Sequence, residues 1–277
     1  MREYVEHDDH GGLGRDLIQT ATVMSRRRAL RLAAGLGVTL GGLGAIPILG
    51  CASATDVDAS GDAPIGQGAC SKIPQETEGP YPGDGSNGPN VLSQSGVVRS
   101  DIRPSFAGLS GTADGVPLTL VMNLVSASTC SPLAGAAVYV WHCDRPGRYS
   151  LYTAGATSQN YLRGVQAADA NGKVTFQTIY PGCYAGRWPH IHFEVYQSLA
   201  AATAVSNKKA TSQIALPKAT NDLVYATGGY EQSKTNQAQV TLASDMVFAD
   251  GATLELPTIS GAVASGLTAT LTVAVAL

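Results

Sequence analysis

Alternation of apolar and polar positions dominates the chain from residue 116 onward. Residues 116–125, 136–142, 173–179, 190–196, 246–248, 253–256 and 267–275 each read as strands, rich in Val, Thr and Leu. The clearest two-residue period is the terminal Leu-Thr-Ala-Thr-Leu-Thr-Val-Ala-Val. Asp114-Gly115, Asn171-Gly172 and Asp250-Gly251 stand between these segments as turn signals. Residues 220–226 are the one fair helical stretch, with Thr220 or Asn221 as its cap. There is no internal repeat. Many short strands separated by Gly- and Asn-containing turns predict an all-β protein, a β-sandwich of mostly antiparallel strands with long loops.

The first fifty residues break this pattern. Ser25-Arg26-Arg27-Arg28-Ala29-Leu30-Arg31-Leu32 leads into a Gly/Ala/Leu-rich run without a charge until Asp56, a basic region followed by an apolar one. Adjacent arginines suit a twin-arginine signal, and Ile48-Leu49-Gly50-Cys51 resembles a lipobox that would be cut before Cys51 for lipid attachment. A plain cleaved signal and an uncleaved anchor are the alternatives, and the glycines and Pro47 weigh against a permanent helix. Met24 is a second candidate start. The expected organisation is an export signal over 1–50, a flexible Ala/Ser/Asp/Gly spacer over 51–69, and one catalytic β-sandwich over 70–277. The expected location is periplasmic or cell-surface, tethered by lipid at Cys51, or secreted.

Beyond residue 50, twelve Lys+Arg stand against sixteen Asp+Glu with no basic cluster, which gives no electrostatic footprint for nucleic acid. Besides Cys51 the cysteines are Cys70, Cys130, Cys143 and Cys183, an even number that an oxidising compartment would pair as one or two disulfides. Three pairings are open.

The chemistry concentrates in residues 180–195. His190 and His192, two of five histidines, alternate with Ile191, Phe193 and Val195, so a strand projects both imidazoles from one face with Glu194 following them. A metal centre needs further convergent donors. Tyr184 follows the turn Pro181-Gly182-Cys183, and Tyr149 lies in the turn leaving Trp141-His142. Glu194 offers a rival, a triad of two imidazoles and a carboxylate for iron(II) or copper. Three same-face ligands on one strand would span roughly 13 Å between outer Cα atoms, too far for a single ion, so Glu194 is expected in a supporting or solvent-facing position. Arg187 reads either as a loop arginine or as a fixed cation for negative charge on a substrate. His142 reads as structural. Tyr81, Tyr152, Tyr161 and Trp188 are candidate walls for a flat ring.

Taken in order, Glu76-Thr77-Glu78-Gly79-Pro80-Tyr81, Arg99-Ser100-Asp101-Ile102, Cys130-Ser131-Pro132-Leu133, Val140-Trp141-His142-Cys143-Asp144, Gly147-Arg148-Tyr149-Ser150, Leu162-Arg163-Gly164-Val165-Gln166, Thr178-Ile179-Tyr180-Pro181-Gly182-Cys183-Tyr184 and Gly186-Arg187-Trp188-Pro189-His190-Ile191-His192 resemble the intradiol ring-cleavage dioxygenases, in their exported, protocatechuate 3,4-dioxygenase-like branch. The resemblance implies a β-sandwich holding one non-haem iron(III) through Tyr149, Tyr184, His190 and His192. It implies that a catechol and O2 are the substrates, that Tyr184 takes a catechol proton, and that Arg187 stabilises the anionic ring. The implied product is a cis,cis-muconate-type diacid. The chain departs from the catechol-specific enzymes in lacking their helical amino-terminal region, and Trp188-Pro189 stands where Pro-Ala is usual. The contrasting expectation is an exported, non-catalytic β-sandwich that binds carbohydrate or aromatic polymer through Trp141, Trp188 and exposed tyrosines. Either a single chain or a homo-oligomer is compatible with a complete ligand set.

Overall fold

The computed structural model describes residues 70–277. The expected export signal, lipidated Cys51 and spacer lie outside the described residues. Eight strands form two four-stranded sheets. One runs β4(Lys173–Ile179), β1(Pro117–Ser126), β8(Gly266–Val275), β7(Thr258–Ala262), and the other runs β3(Arg163–Ala167), β2(Ala137–Trp141), β5(His190–Tyr196), β6(Ala210–Ala215). All pairings are antiparallel except β1 with β8. This is the β-sandwich expected from the alternation.

The core fills the space between the sheets. Leu118, Leu120, Met122 and Leu124 of β1, with Phe176, Ala269 and Val273, face Val138, Val140, Ile191, Phe193, Val195 and Ile214. Each is a residue of the apolar half of its strand's two-residue period. At the end of this core His142 joins the sheets, its Nε2 lying 2.7 Å from Thr178 Oγ1 and its Nδ1 2.8 Å from the Cys143 carbonyl. It is structural, as its sequence position suggests. Cys70 and Cys130 are the disulfide pair, tying the start of the described chain to the turn after β1, while Cys143 and Cys183 are buried thiols. Closing that 60-residue separation contributes about 4 kcal/mol in the chain-entropy account.

Several local expectations are corrected. Residues 246–248 and 253–256 form turns, not strands, because Val247, Phe248 and Ala252 pack around Trp188 as a satellite cluster rather than onto a sheet. Helix α1(Lys218–Val224) starts two residues earlier than expected, after Pro217, whose fixed φ suits a helix entry. Helix α2(Glu231–Gln237) has no apolar residue and so no periodic signal. Strands β3, β6 and β7 likewise lack apolar alternation: β3 and β6 are short edge strands with polar residues that are nonetheless largely buried, and β7 is an exposed edge.

Candidate metal centre

Strand β5 is buried along its whole length, and its two faces do different work. Ile191, Phe193 and Val195 enter the inter-sheet core. His190, His192, Glu194 and Tyr196 point the other way, beneath a layer of loops. His190 Nε2 lies 3.0 Å from His192 Nε2 and 3.3 Å from Tyr149 Oη. The Tyr184 ring stands edge-on to those of His190 and Tyr149, at centroid distances of 5.7 and 5.6 Å. The structure thus brings together all four side chains that the sequence nominates as ligands.

Each ring is held from behind. His190 donates from Nδ1 to the Trp188 carbonyl at 2.5 Å, which leaves the Nε2 lone pair facing the cluster. His192 is stacked on Trp141 at 4.8 Å, nearly coplanar. Tyr149 stacks on Tyr81 at 4.7 Å, and its backbone N–H donates to Thr153 Oγ1. Its loop closes on that of Tyr184 at Gly147, where φ is +93° and a Cβ would meet the Cys183 carbonyl oxygen at 2.9 Å. Only glycine accepts that conformation and that approach without strain. Leu151 and Leu162 also hold positive φ, of 74° and 57°, on either side of this loop. Such conformations cost of order 1–3 kcal/mol each and persist where the surroundings impose them.

The surroundings here include Arg163, which is 1 % exposed. It donates to the carbonyls of Tyr81, Pro82 and Ser150, to Ser150 Oγ and to Tyr139 Oη, binding the 76–84 arm to the tyrosine loop. Arg187 is fully buried, which excludes the reading as a surface loop arginine. Its Nε donates to Asp245 Oδ2 at 2.9 Å and its Nη2 to Gln213 Oε1 at 2.7 Å, while Nη1 faces Tyr184 Oη at 3.5 Å. Burial pushes the Asp245 carboxyl up, but the Arg187 guanidinium and the Trp188 N–H outweigh it and hold the group below its ordinary value. Burial, then the charge of Arg187, pushes His190 down to about 3, and burial followed by His190 and Arg187 holds His192 well below its usual range. Both imidazoles are neutral, the form that binds metal.

Glu194 is not solvent-facing. It is fully buried, accepts from Tyr196 Oη at 2.6 Å and from Lys208 Nζ at 3.1 Å, and belongs to a separate group with Glu78 and Asp84. Lys208 also pairs with Glu78, so this group holds its own cation, and it contains neither histidine. Trp141 and Trp188 are 0 % and 3 % exposed. Neither offers the surface platform that a polymer-binding module needs. Asp245, Arg163 and Lys208, whose hydrogen bonds and ion pairs hold the surroundings of the four rings, are not singled out by the sequence. The one available signal was Leu162-Arg163-Gly164, a motif whose arginine carried no assigned role.

Two neutral imidazoles and two phenols converging within a buried pocket are a donor set for an oxidised, oxygen-loving transition metal. His192 Nδ1 is buried without a hydrogen-bond partner, so on the side away from His190 the ring is held by its stack on Trp141. The residues present fit an iron(III) ion.

A family model described as "Dioxygenase" matches residues 88–209, which include all four rings and Arg187 but not Asp245. Catechol 1,2-dioxygenase 1 of Acinetobacter lwoffii is 30 % identical over 154 residues, covering 48 % of this chain and 45 % of that protein. Catechol 1,2-dioxygenase 2 of the same organism is 30 % identical over 169 residues, covering 53 % and 58 %. The chain therefore spans about half the length of the curated relatives it matches. The structure of an intradiol ring-cleavage dioxygenase from Tetranychus urticae superposes with a TM-score of 0.61 at 27 % identity, covering 75 % of this chain and 95 % of that one. A mercury-inhibited catechol 1,2-dioxygenase from Acinetobacter sp. ADP1 shares the fold, with a TM-score of 0.52 at 16 % identity, covering 97 % of this chain and 73 % of that one.

Proposed function

We propose that the chain is an intradiol ring-cleavage dioxygenase that binds one non-haem iron(III) and cleaves a catechol-type ring with both atoms of O2. The observation that carries the proposal is the convergence of Tyr149, Tyr184, His190 and His192 beside the Arg187–Asp245 pair. Those four residues would hold the iron, which would supply electron withdrawal from a bound catechol and so make its ring open to O2. Stoichiometry is one O2 per catechol, giving a cis,cis-muconate-type diacid with no other reductant.

The protein's own residues divide the remaining work. Tyr149, 1 % exposed and stacked on Tyr81, is the fixed anchor. Tyr184, only partly buried, is the ring able to move, and as a tyrosinate its Oη would accept one catechol proton and become the neutral phenol. Arg187 presents Nη1 beside that oxygen while its other nitrogens are occupied by Asp245 and Gln213. The cation is therefore oriented before the ring becomes anionic, which is when its charge lowers the barrier. Tyr81 and Tyr152, 5.4 Å apart, wall the approach against water. The proposed setting is outside the cytoplasm, supported by the arginine-led apolar segment before Cys51 and by the Cys70–Cys130 disulfide.

Oxygen-electrode traces with catechol, protocatechuate and hydroxyquinol test this reading. We expect one of the three to consume O2 in a one-to-one ratio. A folded, iron-loaded protein that consumes none with any of them would overturn it.

A further inference from the structure

Against Trp188 lies a cavity of about 720 Å³ whose lining includes none of the four rings. Its walls are largely apolar: Trp188, Leu216, Pro217, Val240, Leu242 and Leu256. No side chain able to chelate iron with the rings lines it, so a catechol gains nothing there.

The polar groups of the cavity are few and unbalanced. Lys218 is already paired with Asp222 at 2.7 Å. Lys234 and Gln237, three residues apart on one face of α2, are not matched in this way. Lys234 has no carboxylate partner among the described residues. Gln237 is 8 % exposed, and its buried Nε2 has no hydrogen-bond partner. A buried amide donor left unpaired costs free energy that an acceptor in the cavity would recover. An indole wall, an apolar body, one cation and one idle N–H define the complement: a flat apolar group carrying a single carboxylate.

We propose that this cavity is a second ligand site, for an aromatic monocarboxylate whose ring lies against Trp188 and whose carboxylate meets Lys234 and Gln237. Trp188 connects the site to the metal centre. Its backbone N–H donates to Asp245 Oδ2 at 2.6 Å, its backbone carbonyl accepts from His190 Nδ1, and its indole N–H donates to the Leu216 carbonyl. A ligand pressing on the indole thus bears on the partner of Arg187 and on one proposed iron ligand together, without entering the reaction pocket.

The test is calorimetric titration of the iron-loaded full chain with trans-cinnamate, and with cinnamyl alcohol as its neutral counterpart. We expect one equivalent of cinnamate to bind. Loss of the charge in the alcohol, or in Lys234→Gln, should weaken binding roughly tenfold, as for a charge-assisted hydrogen bond. Gln237→Leu should weaken it by a smaller factor, and His192→Ala should leave it intact. Absence of binding at millimolar cinnamate would overturn the site. So would binding that survives Lys234→Gln and Gln237→Leu but is lost in His192→Ala, since the acid would then occupy the metal centre. Binding is read without turnover, so failure here leaves the ring-cleavage proposal standing, and failure of that proposal leaves this one testable.

Discussion

The two sheets are built from the same strand geometry but differ in what covers them. In the β4-β1-β8-β7 sheet, β1 alternates buried and part-exposed residues along most of its length, one face on the core and the other on water. In the β3-β2-β5-β6 sheet, β2, β5 and β6 are buried on both faces. Its outer face carries Tyr139, Trp141, His190, His192, Glu194 and Gln213, covered by loops from residues 76–84, 143–162 and 240–252. Polar groups hidden from water are costly unless paired, and the charged groups of this face are paired, Arg187 with Asp245, Glu194 with Lys208 and Arg163 with five acceptors, while His192 Nδ1 and Trp141 Nε1 stay buried without a hydrogen-bond partner. The first sheet shows what the fold needs for stability. The second shows what is added when one face of the same fold is reserved for chemistry.

Adjacent residues on β5 offer the sharpest way to separate those roles. Phe193→Ala empties the core face and should cost about 3–5 kcal/mol in denaturant unfolding, while metal content per folded molecule stays unchanged. Metal loss in Phe193→Ala would mean the two faces are not independent. A somewhat smaller effect is expected at the bridge between the sheets. Burial holds the His142 imidazole down to about 4, so the unfolded chain takes up a proton between pH 6.5 and 4 that the native state refuses. Stability should therefore be unaffected by this group above pH 6.5 and should fall by about 3 kcal/mol as pH drops to 4. His142→Gln should flatten that slope relative to the unsubstituted protein, and equal slopes would contradict the assignment. The smallest effect belongs to the solvent side of the first sheet. Thr119→Ala, which removes an exposed hydrogen bond to Gln177, should change stability by no more than about 0.5 kcal/mol and leave metal binding alone.

The same contrast explains what was legible in the sequence. Strands β1, β4 and β8 announce themselves through alternation, because one side of each meets water along much of its length. The histidine strand was legible for a different reason, two ring nitrogens at a two-residue spacing, and the tyrosines followed from motif. Asp245 was not legible. It sits 58 residues from Arg187 in a turn whose neighbours Val247 and Phe248 suggest a strand, and only the folded loop brings it under the guanidinium. Lys208 and Glu78 were hidden for the same reason, being 130 residues apart before folding. Alternation failed for β6, where polar Thr211, Ser212 and Gln213 are buried because the loop layer supplies their partners.

The central claim is that two tyrosines and two histidines on the covered face hold iron(III), with Glu194 serving a separate ion-paired group. Metal analysis with a visible spectrum, made on the protein and on its Tyr149→Phe and Glu194→Gln variants, tests it directly. The account predicts one iron per chain and a red-brown tyrosinate-to-iron(III) absorption that survives Glu194→Gln and is lost or strongly altered in Tyr149→Phe. A colourless protein that binds iron, keeps it in Tyr149→Phe and loses it in Glu194→Gln would contradict the account.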